Sequence, residues 1–285
     1  MPMNDISIDN NGLTLALSVY GQPQLPPVLL MHGISNSRDV WYDWAVELSG
    51  RYRVYTLDFR GHGHSARAER YGIAEYLSDA EATLAAIGAP TRVVGHSLGG
   101  VVAGALAQGD SPLVHSVLML DPAWYFGLPA EFERTVYPRR FALLLGLIMQ
   151  LRAAQAPLDD WYAAVGNTPH PSGGVFADHM GHRQILSHAS ALQRQDPACW
   201  ARPMQEVFAS LDTTRPFRRP TRLIRCDATL GAAFVDEHAA LIQAVNPWLD
   251  ITHYVGSDHF PQRTYAFAER FRGDLELFLR DEPTP

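Results

Sequence analysis

The stretch "RVVGHSLGG", residues 92–100, decides how the rest of the chain is read. Two β-branched residues, Val93 and Val94, run into Gly95-His96-Ser97-Leu98-Gly99, and Gly100 follows. A serine in that setting is open to three roles: turn residue, helix N-cap or nucleophile. The flanks narrow the choice. "RVVG" reads as a buried strand, and "LGGVVAGALAQG" (98–109) reads as a helix. At the carboxyl end of a strand in a parallel sheet, a G-x-S-x-G sequence permits a sharp turn that lifts the serine oxygen above the sheet. Side chains at Gly95 or Gly99 would strike neighbouring backbone in so tight a bend. Gly100 and Gly104 would let the following helix pack close to the sheet. The free N–H groups at that helix start favour a developing anion beside the oxygen.

Working outward, strand-like and helix-like segments alternate. Leu13–Val19, "PPVLLMHG", "RVYTLDF", "VHSVLMLD", "TRLIRCD" and "ITHYVG" read as strands. Apolar residues at 73, 76, 77, 80, 84 and 87 have helical spacing, and Gly88 and Pro90 supply the stop. A helix opens near Asp236, read as its N-cap, and stops at Asn246-Pro247. A last helix carries Phe267, Phe271, Leu275, Phe278 and Leu279 on one stripe. The alternation breaks over 124–219, where the chain reads as helical and irregular. The expectation is an α/β fold, a mostly parallel β-sheet flanked by helices. Residues 1–123 and 220–285 would form the core domain and 124–219 an inserted helical cap.

Composition bounds the function. The 285 residues are 47% hydrophobic and 19% charged, a balance that supports a large core. The net charge is −7 and no dense Lys/Arg block occurs, which argues against a nucleic-acid partner. Cys199 and Cys226 are too few for a disulfide framework and read as buried thiols. The start, "MPMNDISIDNNG", lacks a secretory pattern. "FALLLGLIM" (141–149) is about half of the ~20 residues a bilayer crossing needs, although docking on a surface stays open to it. No membrane span and a cytoplasmic location are expected; oligomeric state is open. "HMGHRQILSH" groups His179, His182 and His188 but lacks a zinc-type arrangement, so no metal and no cofactor are expected.

The "HG" at 32–33, "DFRGHGHS" at 58–65, "GHSLGG" at 95–100 and "GSDHF" at 256–260 together resemble the α/β-hydrolase fold superfamily, in its serine-nucleophile, esterase- or lipase-like form with a helical cap. The resemblance covers most of residues 10–280. It implies Ser97 as nucleophile and His259, beyond the last strand, as its base. It implies Asp227, after the strand that follows the cap, as the acid orienting His259, with Asp121 as the alternative. "CDATLGAAF" departs from the commoner pattern, in which a glycine shortly precedes the acid. The oxyanion hole would be the backbone N–H groups of Ile34 and Leu98. His32, His62 and His64 would order that side of the site. Trp124 and Tyr125, just past Asp121-Pro122, are expected nearest the substrate.

The implied activity is hydrolysis of a largely apolar carboxylic ester or lactone, with water as co-substrate, through an acyl-serine. Carbon–carbon bond (vinylogous diketone), amide and thioester hydrolysis use the same triad. Epoxide hydrolysis and dehalogenation do not, because relatives with those activities carry aspartate where Ser97 stands. A non-catalytic ligand receptor on the same fold is the reading from another class.

Overall fold

The computed structural model describes residues 4–280; residues 1–3 and 281–285 lie outside the described part. Eight strands form one sheet: β1 (Asn4–Asn10), β2 (Leu13–Tyr20), β3 (Pro27–Met31), β4 (Arg53–Leu57), β5 (Thr91–His96), β6 (Val114–Leu120), β7 (Thr221–Arg225) and β8 (Asp250–His253). Their spatial order is β1-β2-β4-β3-β5-β6-β7-β8. β1 and β2 pair antiparallel, β2 meets β4 antiparallel, and every pairing from β4 to β8 is parallel. The sequence reading of a mostly parallel sheet flanked by helices is the fold observed. It missed β1, whose NDISIDN is largely exposed and offers no apolar run.

Residue alternation explains why helices cover both faces. Leu29, Met31, Val93 and Met119 point into one apolar cluster, shared with Leu84 of α2 (Ile73–Ile87) and Val101 and Val102 of α3 (Leu98–Ala107). Val28, Leu30, Val94, Leu118 and Leu120 point into the other. There Trp44 of α1 (Tyr42–Leu48) and Phe271, Leu275 and Phe278 of the last helix (Ala268–Arg280) cover them. Each fully buried aliphatic side chain contributes ~1.5–3 kcal/mol, so both faces are strongly held.

β3 sits between β4 and β5, so successive parallel strands are added first on one side of β3 and then on the other. That reversal opens a crevice at the carboxyl ends of β3 and β5, the place where ligands bind in such sheets. Ile34 follows β3 and Ser97 follows β5. The segment between β6 and β7 contains no named strand. Its longer helices are Tyr137–Ala153, Leu158–Gly166 and His182–Arg194. "FALLLGLIM" lies within Tyr137–Ala153, and no helix among the described residues is long and apolar enough to cross a membrane.

Candidate active site

Ser97 occupies the turn between β5 and α3 with φ 55° and ψ −114°, a strained conformation for a residue with a Cβ. The turn is held at both ends: Ser97 N–H donates to the Leu120 carbonyl (3.0 Å) and Gly99 N–H to the His32 carbonyl (3.1 Å). A Cβ at Gly95 would overlap the Gly99 carbonyl, and one at Gly99 would overlap that of Met31. These are the backbone approaches that the glycine pattern implied.

His259 reaches the site from the loop beyond β8. Its Nδ1 lies 2.5 Å from Asp121 Oδ2, and both side chains are buried. Asp121 directly follows β6 with φ 40° and is fixed by three backbone donors. Cys226 N–H (3.2 Å) and Phe234 N–H (3.4 Å) meet Oδ1, and Ala233 N–H (2.8 Å) meets Oδ2. Burial pushes the Asp121 carboxyl up to about 6 while those donors pull it down. Burial, then Arg140, holds His259 below the ordinary imidazole value, with Asp258 opposing. At neutral pH the pair is therefore a carboxylate accepting Nδ1–H from a neutral ring, which leaves Nε2 as the basic nitrogen.

The expected pairing of Asp227 with His259 is corrected here. Asp227 Oδ1 accepts from Thr229 N–H (3.0 Å) and Thr229 Oγ1 (2.6 Å), and Oδ2 accepts from Gly256 N–H (2.9 Å). It closes a turn after β7 and steadies the loop before His259. Its own carboxyl is pulled down first by the Thr229 hydrogen bond. The two acids lie just past the ends of adjacent parallel strands, and only Asp121 is directed at the imidazole.

On the other side of Ser97, Ile34 is buried, and no described residue accepts a hydrogen bond from the N–H of Ile34 or of Leu98. The Ile34 carbonyl is tied back instead. Gln195 Nε2–H donates to it (2.7 Å) and His62 Nε2 lies 2.7 Å away. Trp200 Nε1–H donates to Gln195 Oε1 (2.9 Å) and so orients the amide. His32 sets the preceding residue: its Nδ1–H donates to the Gly33 carbonyl (2.8 Å) and its Nε2 accepts from Phe59 N–H (3.2 Å). His62 and His32 take the ordering positions expected of them, and His64 contributes its backbone N–H to Asp58 (2.9 Å). Gln195 carried no sequence signal, because nothing local to "QRQDPACW" announces a partner 161 residues away. His96 was likewise missed: its Nε2–H donates to the His259 carbonyl (2.8 Å), so the residue before the serine anchors the proposed base.

Ser97 and His259 open onto one cavity of about 410 Å³. Tyr137, Phe141, Leu144, Phe176 and Phe260 supply much of its apolar wall, and His188 also lines it. Trp124 and Tyr125 do not, contrary to expectation. Trp124 fills the space left by the missing side chain at Gly104 and packs edge-on to Phe217. Tyr125 is buried against Phe234 and His238. Both rings belong to the buried apolar cluster that also holds Met119 and Val101.

Residues 26–159 match the family model described as the alpha/beta hydrolase fold. The chain belongs to the α/β-hydrolase fold superfamily. Across an alignment of 283 positions it is 32% identical to an uncharacterized protein of Mycobacterium tuberculosis, covering 88% of this chain and 76% of that one. It is 34% identical over 106 residues to a pimeloyl-[acyl-carrier protein] methyl ester esterase of Aeromonas hydrophila, covering 36% of this chain and 41% of the esterase. It is 32% identical over 123 residues to epoxide hydrolase 4 of Mus musculus, spanning a third of that protein's length (33%) and 41% of this chain. The carboxylesterase CesB of Bacillus subtilis superposes with a TM-score of 0.71 at 15% identity, covering 98% of this chain and 92% of its own. That likeness speaks for the hydrolase fold.

Proposed function

We propose that this hydrolase-fold protein cleaves a carboxylic ester or lactone through an acyl-serine intermediate. Ser97 Oγ attacks the carbonyl carbon while His259 Nε2 takes its proton. Asp121 keeps the Nδ1–H tautomer and stabilises the imidazolium that forms. The Ile34 and Leu98 N–H groups receive the negative oxygen, and a lost donor of this kind costs ~2.7–4 kcal/mol of barrier. Collapse breaks the acyl–oxygen bond and the alcohol leaves with the proton from His259. A water then gives its proton to His259 and its oxygen to the acyl carbon, which frees the acid and restores Ser97. In this reading the helical segment 124–219 acts as a cap that roofs the cavity.

The observation that carries the reading is the 2.5 Å contact of His259 with Asp121 beside a cavity that Ser97 shares. The partial similarity to a methyl ester esterase points the same way. The similarity to epoxide hydrolase 4 does not extend the proposal to epoxides, because the alkyl-enzyme route implied for such relatives needs a carboxylate at position 97. Ser97→Ala tests the assignment. It should abolish p-nitrophenyl butyrate hydrolysis while the far-ultraviolet circular dichroism is retained, and undiminished turnover would reject it.

A further inference from the structure

The chain is acidic as a whole, with net charge −7, yet the cavity beside Ser97 is not. No aspartate or glutamate is among its lining residues, and one guanidinium, Arg140, is. Arg140 sits one turn into the helix Tyr137–Ala153, whose Phe141, Leu144 and Leu147 also face the cavity. Its Nη1–H donates to the Gly231 carbonyl (2.9 Å), and its guanidinium lies 5.6 Å from the centre of the Tyr137 ring. Those contacts fix it in place but leave its charge uncompensated, since it has no ion pair among the described residues. Gly231 has φ +84°, the left-handed cap of the short helix Ala228–Leu230, and the end of the Arg140 side chain lies against it.

A second cation stands directly behind the wall. Arg263 is buried, and it is held by neutral oxygens, Asn36 Oδ1 (3.1 Å) and the Gln184 carbonyl (2.9 Å), with its Nε unpartnered. It lies 5.2 Å from the centre of the Phe260 ring, and both Phe260 and Asn36 line the cavity. Asp258 offsets part of its charge but forms its short contact with His170 Nε2 (3.1 Å) instead. The lining histidines His96, His188 and His259 are all held neutral, chiefly by burial, and the buried Asp121 carboxylate stands behind His259 and outside the lining, so Arg140 is the charged side chain that the cavity wall itself presents. An apolar pocket with a fixed, unpaired guanidinium is built for a ligand that is hydrocarbon along most of its length and anionic at one point.

We propose that the cavity recognises a carboxylate on the acyl part of its substrate through Arg140, so that its favoured substrates are half-esters of dicarboxylic acids. This rests on the esterase reading above. The reaction then balances as half-ester plus water giving dicarboxylate, alcohol and one proton, with the acyl–oxygen bond broken and the distal carboxylate unchanged.

The test measures kcat/KM for monomethyl esters of dicarboxylic acids of about four to eight carbons against methyl esters of unbranched monocarboxylic acids of matching length. At the best chain length the wild type should favour the half-ester by about tenfold or more, as a charge-assisted contact in a shielded site predicts. In Arg140→Gln that ratio should fall by about tenfold or more, and Arg140→Lys should restore part of it. The matching free dicarboxylate should inhibit the wild type competitively, and the neutral acid amide should not. Preference for the neutral ester at every length, or an unchanged ratio in Arg140→Gln, overturns the proposal. Should Arg140→Gln fail to fold, the wild-type ratio and the inhibition experiment decide alone. If the wild type hydrolyses neither ester series, the esterase reading itself has failed, which is a different outcome.

Discussion

Replacing Asp121 by asparagine gives the sharpest separation between the two candidate acids. Both Asp121 oxygens are acceptors: Oδ1 takes the Cys226 and Phe234 N–H groups, and Oδ2 takes the Ala233 N–H and the His259 ring. An amide nitrogen has no neutral place there. Put at the Oδ2 position it donates to His259 Nδ1, forces the proton onto Nε2 and leaves the ring without a base facing Ser97. Put at the Oδ1 position it confronts two N–H donors and leaves buried groups unsatisfied, at ~1–3 kcal/mol. Loss of the correct tautomer in a Ser-His-Asp site lowers kcat by about 10⁴, equivalent to ~5 kcal/mol of barrier. Asp227 is in a different position, because its partners are Thr229 and Gly256 and not the imidazole. Asp227→Asn should loosen a turn and lower kcat by less than about tenfold, within the reach of one weakened local hydrogen bond. Stopped assays with p-nitrophenyl butyrate on both variants, with thermal melts alongside, give the comparison. A loss near 10⁴ in Asp227→Asn with Asp121→Asn nearly active would refute the reasoning from geometry.

The remaining predictions concern the walls and the charge state. Trp124→Ala should cost ~3–5 kcal/mol of stability, read by chemical denaturation, because the ring is buried against Gly104 and Phe217; a drop in kcat/KM with no loss of stability would return Trp124 to the substrate pocket. Activity should fall on the acid side as pH drops through about 6, because the buried Asp121–His259 pair then takes up a proton and can no longer combine a free base at Nε2 with a carboxylate behind it. A kcat profile flat down to about pH 5 would contradict this. Gln195→Ala removes a donor to the Ile34 carbonyl and should lower kcat by about tenfold with a smaller change in KM, and Gln195→Glu, which lacks the N–H, should not rescue it. An effect confined to KM would place Gln195 in binding and not in the oxyanion loop.

Much of this molecule is legible in one dimension because its strands are short apolar runs with strong punctuation. Gly88 at φ 71° ends α2 by adopting the left-handed cap, and its N–H bonds the Leu84 carbonyl, so the stop was readable to the residue. The serine turn was readable because its glycines are demanded by backbone contacts. β1 was not, since an exposed edge strand needs no hydrophobic alternation. Asp236 was read as the N-cap, whereas Val235 holds that place and Asp236 starts the helix beside Arg225. The choice between Asp121 and Asp227 was hidden for a different reason. Both lie just past the ends of neighbouring strands, and what separates them is a φ of 40° at Asp121 and a threonine soon after Asp227 that captures its oxygen. The pocket wall was hidden because ring position along 124–219 says nothing of which face a helix turns toward the serine.

The central claim is that the Ser97 hydroxyl is an activated nucleophile in the native protein. Treating the folded wild type with a fluorophosphonate and mapping the adduct by peptide mass spectrometry tests it most directly. The account predicts one stoichiometric adduct on Ser97, absent after Ser97→Ala and strongly slowed in Asp121→Asn. No adduct, or an adduct elsewhere with Ser97 unmodified, would contradict it.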